Sequence, residues 1–390
     1  MNFKLPIYLD NNATTQVDPR VVEAMIPYFS EKYGNPASKH TLGYVANSAV
    51  DFAREQIAYV INADKNEIYF TSGATESINI IHLGIANTLS QKGNHIISSD
   101  VEHSASYESL LQLQKRGFDV TFLKCDNKGF IHPEQILDTI RPETILVSII
   151  AANNEVGTIN NIASIGRICR AKNVLFHSDA TQAFGKIKID VNEMNIDFLS
   201  FSSHKIYGPK GIGGLFIRKG LEKKITPLIF GGGQEKGIRP GTLNVPAIVG
   251  FGKAAEICSN EFEKDFHHTK KLCDILYKNI LSSLDFISLN GDKENRLPGN
   301  LNLLIKGIKA DTLISNIRDI AFSSGATCSS ESGKPSRILK AIGLDDEDSK
   351  CCIRIGVGRF NTIEEINYAS EKFIDEITKL KLKRNYQSTT

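Results

Sequence analysis

In the stretch FLSFSSHKIYGPKGIGG, residues 198–214, a strand-forming run leads into a single lysine, Lys205, and then into glycine and proline. A second strand-like run, VLFHS (174–178), leads into Asp179 within HSDATQ. An acid and a lysine placed after two successive strands can face one another across a flat ring. Pyridoxal phosphate needs that arrangement: the lysine amine condenses with its aldehyde, and the carboxylate keeps its pyridine nitrogen protonated. The protonated ring is then an electron sink for a carbanion at a substrate α-carbon. Taken alone, the pair is equally compatible with a surface lysine and a helix-capping aspartate.

Other polar residues follow other strands. TSGATES (71–77) comes after EIYF and opens a helix, so its backbone N–H groups and the hydroxyls of Ser72 and Thr75 can take a phosphate, although such residues also serve as ordinary caps. Ser202 and His204 flank the lysine and add donors. His103 follows a third strand in VEHSAS, within reach of the ring face, and Asn154 follows a fourth in AANNEVGT. Gln182, three positions after Asp179, suits a hydrogen bond to the ring's phenolic oxygen. The seven cysteines, at 125, 169, 258, 273, 328, 351 and 352, form no CxxC pair and no zinc-like spacing, which argues against a disulfide scaffold or a structural metal. Most read as small apolar fillers. Cys328 differs. In AFSSGATCSSESGKPSRILKAIG it sits among small polar residues before a proline-initiated helix, a composition that predicts a mobile loop able to carry a thiol into a site and out again.

These residues need a scaffold that sets strand ends side by side. β-rich runs at 67–70, 95–99, 119–124, 144–150, 174–178, 196–202 and 213–218 alternate with amphipathic stretches such as SYESLLQLQKRG and IASIGRICRAKN. That rhythm predicts a mainly parallel sheet with helices on both faces, whose ligands gather beyond the carboxyl ends of the strands. From about residue 245 a long helical stretch leads to a smaller α+β part containing NLNLLI, CIRIGVG and a final helix beginning near TIEEINYASEKFIDEI. Asp18 is placed as an N-cap with Pro19 at the first helical position, and this helix is expected to pack with the C-terminal part. KLKLKRNYQSTT reads as a frayed tail. A chain of 390 residues is long for one core, so a large domain and a smaller one are expected. With 41% hydrophobic residues and a formal net charge of +2, the composition offers no basic field for nucleic acid. No apolar run is long enough for a bilayer and the N-terminus is unlike a leader, so the reading is a cytoplasmic protein.

In this order, YLDNNATT, GNPASKH, TSGATES, VEH, NNEVG, HSDATQ, SSHKIYGPKG, GGGQEKGIRPGT and SSGATCSS resemble the cysteine desulfurases of the NifS/IscS type, within the class V aminotransferase superfamily. The likeness runs from about residue 7 to about 380; SSHKIYGPKG and GGGQEKGIRPGT are its most specific signatures. It implies an α/β, fold-type I architecture: a large domain (16–260) with a mainly parallel seven-stranded sheet, a small α+β domain formed by 1–15 and 261–385, and a flexible tail at 386–390. Pyridoxal 5'-phosphate is the implied cofactor, L-cysteine the substrate and a homodimer the assembly.

By the same resemblance, Lys205 holds the cofactor, Asp179 pairs with the pyridine nitrogen, and His103 stacks on the ring and serves acid/base steps. Gln182 and Asn154 attend the ring oxygen and its surroundings, with Asn154 also near substrate. Ala74, Thr75, Ser202 and His204 hold the phosphate, joined by Thr242 from the neighbouring subunit. Arg354 in CIRIGVGRF matches the family's carboxylate-binding arginine, whose guanidinium suits a bidentate contact, with Arg359 as second candidate. The Cys328 thiolate attacks the substrate sulfur, leaving a persulfide on the enzyme and releasing alanine. The loop length between SSGATC and KPSRIL resembles the group that hands sulfur to partner proteins. In that group the cysteine also helps to hold a nascent iron–sulfur cluster with a scaffold protein, which makes Cys328 the candidate metal ligand. Thr327 stands where the family often has alanine, and Gly356 where a serine commonly follows the substrate arginine. A related aminotransferase or selenocysteine lyase would use Lys205 without Cys328, and a non-catalytic descendant would use neither. The sulfur's destination stays open among iron–sulfur assembly, tRNA thiolation, nitrogen fixation and DNA phosphorothioation.

Overall fold

Runs such as TILVSII have no polar face to offer water, and the fold covers them on both sides. The computed structural model describes residues 3–325 and 335–388; Thr327 and Cys328 lie outside the described residues, as do Thr389 and Thr390. The strands are β1 (Ile7–Tyr8), β2 (Ile68–Thr71), β3 (His95–Ser99), β4 (Asp119–Leu123), β5 (Thr144–Ile150), β6 (Leu175–Asp179), β7 (Phe198–Ser202), β8 (Gly213–Ile217), β9 (Ile287–Leu289), β10 (Asn300–Ile305), β11 (Ile320–Ala321), β12 (Ser323–Ser324) and β13 (Cys352–Gly356). The larger sheet has seven strands in the order β2-β8-β7-β6-β5-β3-β4. β3 pairs in parallel with β4 and β5, β5 with β6, and β6 with β7, while β8 runs antiparallel between β2 and β7.

Alternate strand residues feed two cores. Val147 and Ile149 join Ala53, Ile57 and Phe251 from helices Thr41–Val60 and Val245–Asn260 on one face. Leu146 joins Ile81, Ile85 and Leu110 from helices Ala74–Leu89 and Ser104–Lys115 on the other. Phe184 stacks on Phe201 with centroids 4.5 Å apart, and Phe251 closes edge-on to Phe184 at 6.1 Å.

A third core gathers Leu276 and Ile280 of helix Phe262–Ser283, Leu303, Ile353 and Phe373 around Ile7 and Leu9 from the other end of the chain. Here β12, β13, β10 and β9 form an antiparallel sheet, and β1 pairs in parallel with β11. Among the described residues no helix is long and apolar enough to cross a membrane.

Two expectations need correction. Asp18 does cap the helix Pro19–Met25, accepting from the Arg20 N–H at 3.0 Å, but the helix packs with the larger body. Its one buried residue, Val21, belongs to the core of Val50, Ile248 and Phe251, while the ion pairs Arg20–Glu261 and Asp18–Arg359 lead onward. The helical stretch expected after residue 245 is present as two helices that meet at Glu261. The final helix runs Ile363–Ser388, because Leu380 extends the apolar stripe of Phe373 and Ile377; the backbone expected to fray is helical as far as Ser388.

One carboxylate holds the segment GGGQEKGIRPGT. Glu235 and Lys236 both take left-handed backbone angles, φ 48° and 54°, each costing a residue with a Cβ about 1–2 kcal/mol. The buried Glu235 carboxylate accepts from the Phe70 N–H at 2.7 Å and from Arg54 Nη1 at 2.8 Å, and pairs with Arg54 Nη2. Removing it would leave the half-buried Arg54 guanidinium without a counter-charge, holding only the Ile68 carbonyl and the Phe70 ring. Glu235→Ala is therefore expected to lower the unfolding free energy by about 3–5 kcal/mol in urea titrations. A loss below about 1 kcal/mol would show that the segment is held by something else.

Candidate active site

Lys205 sits on the short turn Ser203–Lys205 that follows β7, and it is buried. A buried ammonium needs acceptors. Nζ donates to the backbone carbonyls of Asn12 and Ala13, each at 2.7 Å. The Asn12 carbonyl also accepts from Gln182 Nε2 at 2.8 Å, and Thr14 Oγ1 lies 3.1 Å from His204 Nδ1. Asn12–Thr14 thus forms a strap over the carboxyl ends of β6 and β7. Its other fastening is β13, where the Asn11 N–H donates to the Gly356 carbonyl at 3.1 Å and the Gly356 N–H to the Leu9 carbonyl at 2.7 Å. A Cβ on Gly356 would lie 2.7 Å from the Asn12 nitrogen and 2.8 Å from that of Asn11, so this path requires glycine.

The strap roofs a cavity of about 530 Å³. Asp179, the last residue of β6, is held by the Thr181 N–H at 2.9 Å and the Thr181 hydroxyl at 2.5 Å, both donating to Oδ1. His103 is the N-cap of helix Ser104–Lys115, and its Nδ1 accepts from the Ala105 N–H at 3.1 Å. Burial pushes its pKa down, with Asp179 opposing and Lys205 and Arg337 adding to the push, so the ring is neutral near pH 7 and can take a proton. Burial likewise drives His204 to about 4, helped by Lys205, Lys210 and Lys186. Glu102, beside His103, is pushed up to about 8 by burial, although the Ser99 hydroxyl and the Ile150 N–H donate to it.

Helix Ala74–Leu89 opens onto this cavity with Gly73 as N-cap, which has no side chain to satisfy the helix's first N–H groups. Ala74, Thr75, Ser202, His204 and Lys210 line the wall with it, a donor-rich setting for an anion. Asp179, His103, Gln182, Asn154 and Arg354 complete the lining. Asn12 Nδ2, Asn154 Oδ1 and Arg354 Nε are buried with no hydrogen-bond partner among the described residues. Such atoms carry a desolvation cost that a polar ligand relieves. Anion-binding N–H groups, a lysine, a buried carboxylate fixed by Thr181 and orphaned polar atoms on one cavity fit pyridoxal phosphate.

The profile of the family described as aminotransferase class-V matches residues 7–368. The chain belongs to the class-V aminotransferase family. It is 50% identical to the cysteine desulfurase IscS of Rickettsia typhi over 97% of this chain and 93% of the relative. It is 49% identical to the protein of that name from Rickettsia prowazekii, with the same coverage. A solved NifS-like protein superposes with a TM-score of 0.89 at 40% identity, covering 96% of this chain and all, 100%, of that one. SspA in complex with cysteine superposes at 0.82 and 36% identity, over 91% of this chain and 100% of its own.

In this class-V family member the cavity gathers Lys205, Asp179, His103, Ala74, Thr75, Asn154, Gln182, Ser202, His204 and Arg354. Thr242 is exposed and does not line it, and Cys328 lies outside the described residues. Arg359 is engaged elsewhere, with Asp18 at 3.0 Å, Asp265 at 2.6 Å and the Tyr207 ring at 4.4 Å. Sequence reasoning missed Asp10, Asn12, Ala13, Thr14 and Lys210. The NNATT motif signalled the strap, but carbonyl acceptors leave no mark in side-chain types. Gly356→Ala is expected to cost about 1–3 kcal/mol in denaturant unfolding and to lower kcat by shifting the strap off β13. Wild-type stability and turnover in this variant would mean that the strap can relax freely.

Proposed function

We propose that the protein is a pyridoxal-phosphate-dependent cysteine desulfurase that takes sulfur from L-cysteine, releases L-alanine and keeps the sulfur as a persulfide on Cys328. The observation carrying this reading is the convergence of Lys205, Asp179, His103 and Arg354 on one cavity with orphaned polar atoms in its wall. Relatives named cysteine desulfurase, and a structural neighbour solved with cysteine, support the substrate.

Pyridoxal phosphate, when bound, supplies a protonated ring that draws electrons from the bonds at the substrate α-carbon. The N–H groups of Ala74 and Thr75, with Ser202 and His204, would hold its phosphate; Asp179 would keep its pyridine nitrogen protonated; Gln182 and Asn154 would attend the ring oxygen and His103 the ring face. Lys205 would anchor the aldehyde carbon and move a proton at the substrate α-carbon, its amine kept in place by the Asn12 and Ala13 carbonyls. Arg354 would orient the substrate carboxylate. The Cys328 thiolate attacks the substrate sulfur: an S–S bond forms, the C–S bond breaks, its electron pair stays with carbon, and a proton completes the methyl group of alanine. One thiol and one cysteine become one persulfide and one alanine, with no outside oxidant.

We further place residues 16–260 in a cofactor-binding domain and 1–15 with 261–385 in a small one, and assign the assembly as a homodimer in which Thr242 reaches the neighbouring phosphate site. Exposed Phe29, Tyr33, Tyr44, Phe52 and Tyr59 support a partnered face. The persulfide would pass to an acceptor or iron–sulfur scaffold protein, with Cys328 able to ligate the nascent cluster. All described cysteines are free, the usage of a reducing compartment, and the cytoplasm is the proposed one.

Incubation with L-cysteine should give alanine stoichiometric with sulfide under reductant, and a mass increase of one sulfur on the Cys328 peptide. Cys328→Ala is expected to lose more than ~100-fold in turnover while keeping the bound-cofactor absorbance. Equal sulfide release from wild type and variant would reject the assignment.

A further inference from the structure

Arg354 is nearly inaccessible, its side chain 2% exposed, and its backbone is clamped on both sides because β13 pairs it with Asn302 of β10 and Ser323 of β12. Only side chains can rearrange around it. Its Nη2 donates to Asp10 Oδ1 at 2.9 Å, and Asp10 Oδ2 accepts from Ser323 Oγ at 2.7 Å. Nε is buried with no hydrogen-bond partner among the described residues. The guanidinium that lines the ligand cavity therefore already holds one carboxylate through one of its donors while another waits. A planar fork gives its full strength to one bidentate carboxylate at a time, so an arriving carboxylate and Asp10 need the same group.

Building on the desulfurase reading, we propose that Asp10 is a specificity-determining placeholder: it occupies Arg354 until a substrate carboxylate displaces it, and its competition sets the affinity of the carboxylate subsite. Asp10 can withdraw without being stranded, since the Ser323 hydroxyl stays with it and its side chain is 16% exposed. Its return when alanine leaves restores a partner to a buried guanidinium, which favours product release over retention.

The sign of the effect follows from the two contacts. Asparagine at position 10 still offers Arg354 a carbonyl oxygen but removes the competing charge, so a carboxylate ligand should bind more tightly. Loss of the Ser323 hydroxyl removes the neutral donor from Asp10 and leaves Arg354 as its main partner, so a ligand should bind more weakly. A packing role alone would move both variants in one direction.

Calorimetric titration of the holoenzyme with L-alanine, beside KM and kcat for L-cysteine, tests this. Asp10→Asn is expected to bind alanine about 5–10-fold more tightly with a parallel fall in KM, and Ser323→Ala about 2–3-fold more weakly. Asp10→Asn in an Arg354→Gln background should bind no differently from Arg354→Gln alone. Unchanged or weaker binding in Asp10→Asn overturns the proposal, as does an equal shift in the Arg354→Gln background. Should Asp10→Asn fail to fold, tighter or unchanged binding in Ser323→Ala overturns it instead. A wild type that makes no alanine from cysteine, yet shows these shifts, fails the desulfurase reading and leaves the placeholder standing.

Discussion

Placing a charged amine out of reach of water demands acceptors, and here they come from the far end of the chain. The Asn12 and Ala13 carbonyls take Lys205 Nζ, and nearly every other feature of the site follows from keeping that pair of oxygens in position. The strap must cross the ends of β6 and β7, so it takes a second hold on Gln182 and a third on His204. It must also lie flat on β13, which leaves room only for a hydrogen at residue 356. Backbone oxygens suit the task because they cannot rotate away as side chains can, and because they bear no proton that would compete with the amine.

Neutrality is the second theme. Behind Asp179 runs a buried chain of hydroxyls and imidazoles: Ser109 to His82 at 2.7 Å, His82 to Ser148 at 2.8 Å, Ser148 to His177 at 2.8 Å and His177 to Ser200 at 2.9 Å. Burial pushes His82 to about 3 and His177 well below its ordinary value, so both rings stay uncharged. His177 lies two residues before Asp179 on β6. The polar packing thus fixes the strand that carries the carboxylate without setting a cation beside it. With His103 and His204 also neutral, the charges left to act on a ligand are few and placed.

The sheet was legible because its strands are short, apolar and evenly interrupted, and the seven predicted runs agree with the observed ones within two residues at either end. The cavity residues that follow strands of this sheet, Ala74, His103, Asn154, Asp179 and Lys205 among them, were legible too, since the crevice lies at those strand ends, whereas the Asn12–Thr14 strap and Lys210 were not. What could not be read was partnership across the chain. Asp10 and Arg354 are 344 residues apart, and neither carries a pattern that names the other. The helix after Asp18 was assigned to the wrong body because its single buried side chain, Val21, says that it packs but not against what. The terminal basic stretch read as frayed because the apolar stripe that continues its helix is sparse, with Leu380 the contact beyond Ile377.

Pairing of Ile7 with Ile320, and of Leu9 with Gly356, means that the first strand has nowhere to dock until most of the polypeptide has been made. During synthesis the seven-stranded sheet can form on the ribosome while its lysine still lacks acceptors. Competence for chemistry therefore arrives late, with the last part of the chain, and a prematurely ended product keeps its largest core but has no roof over the ring site.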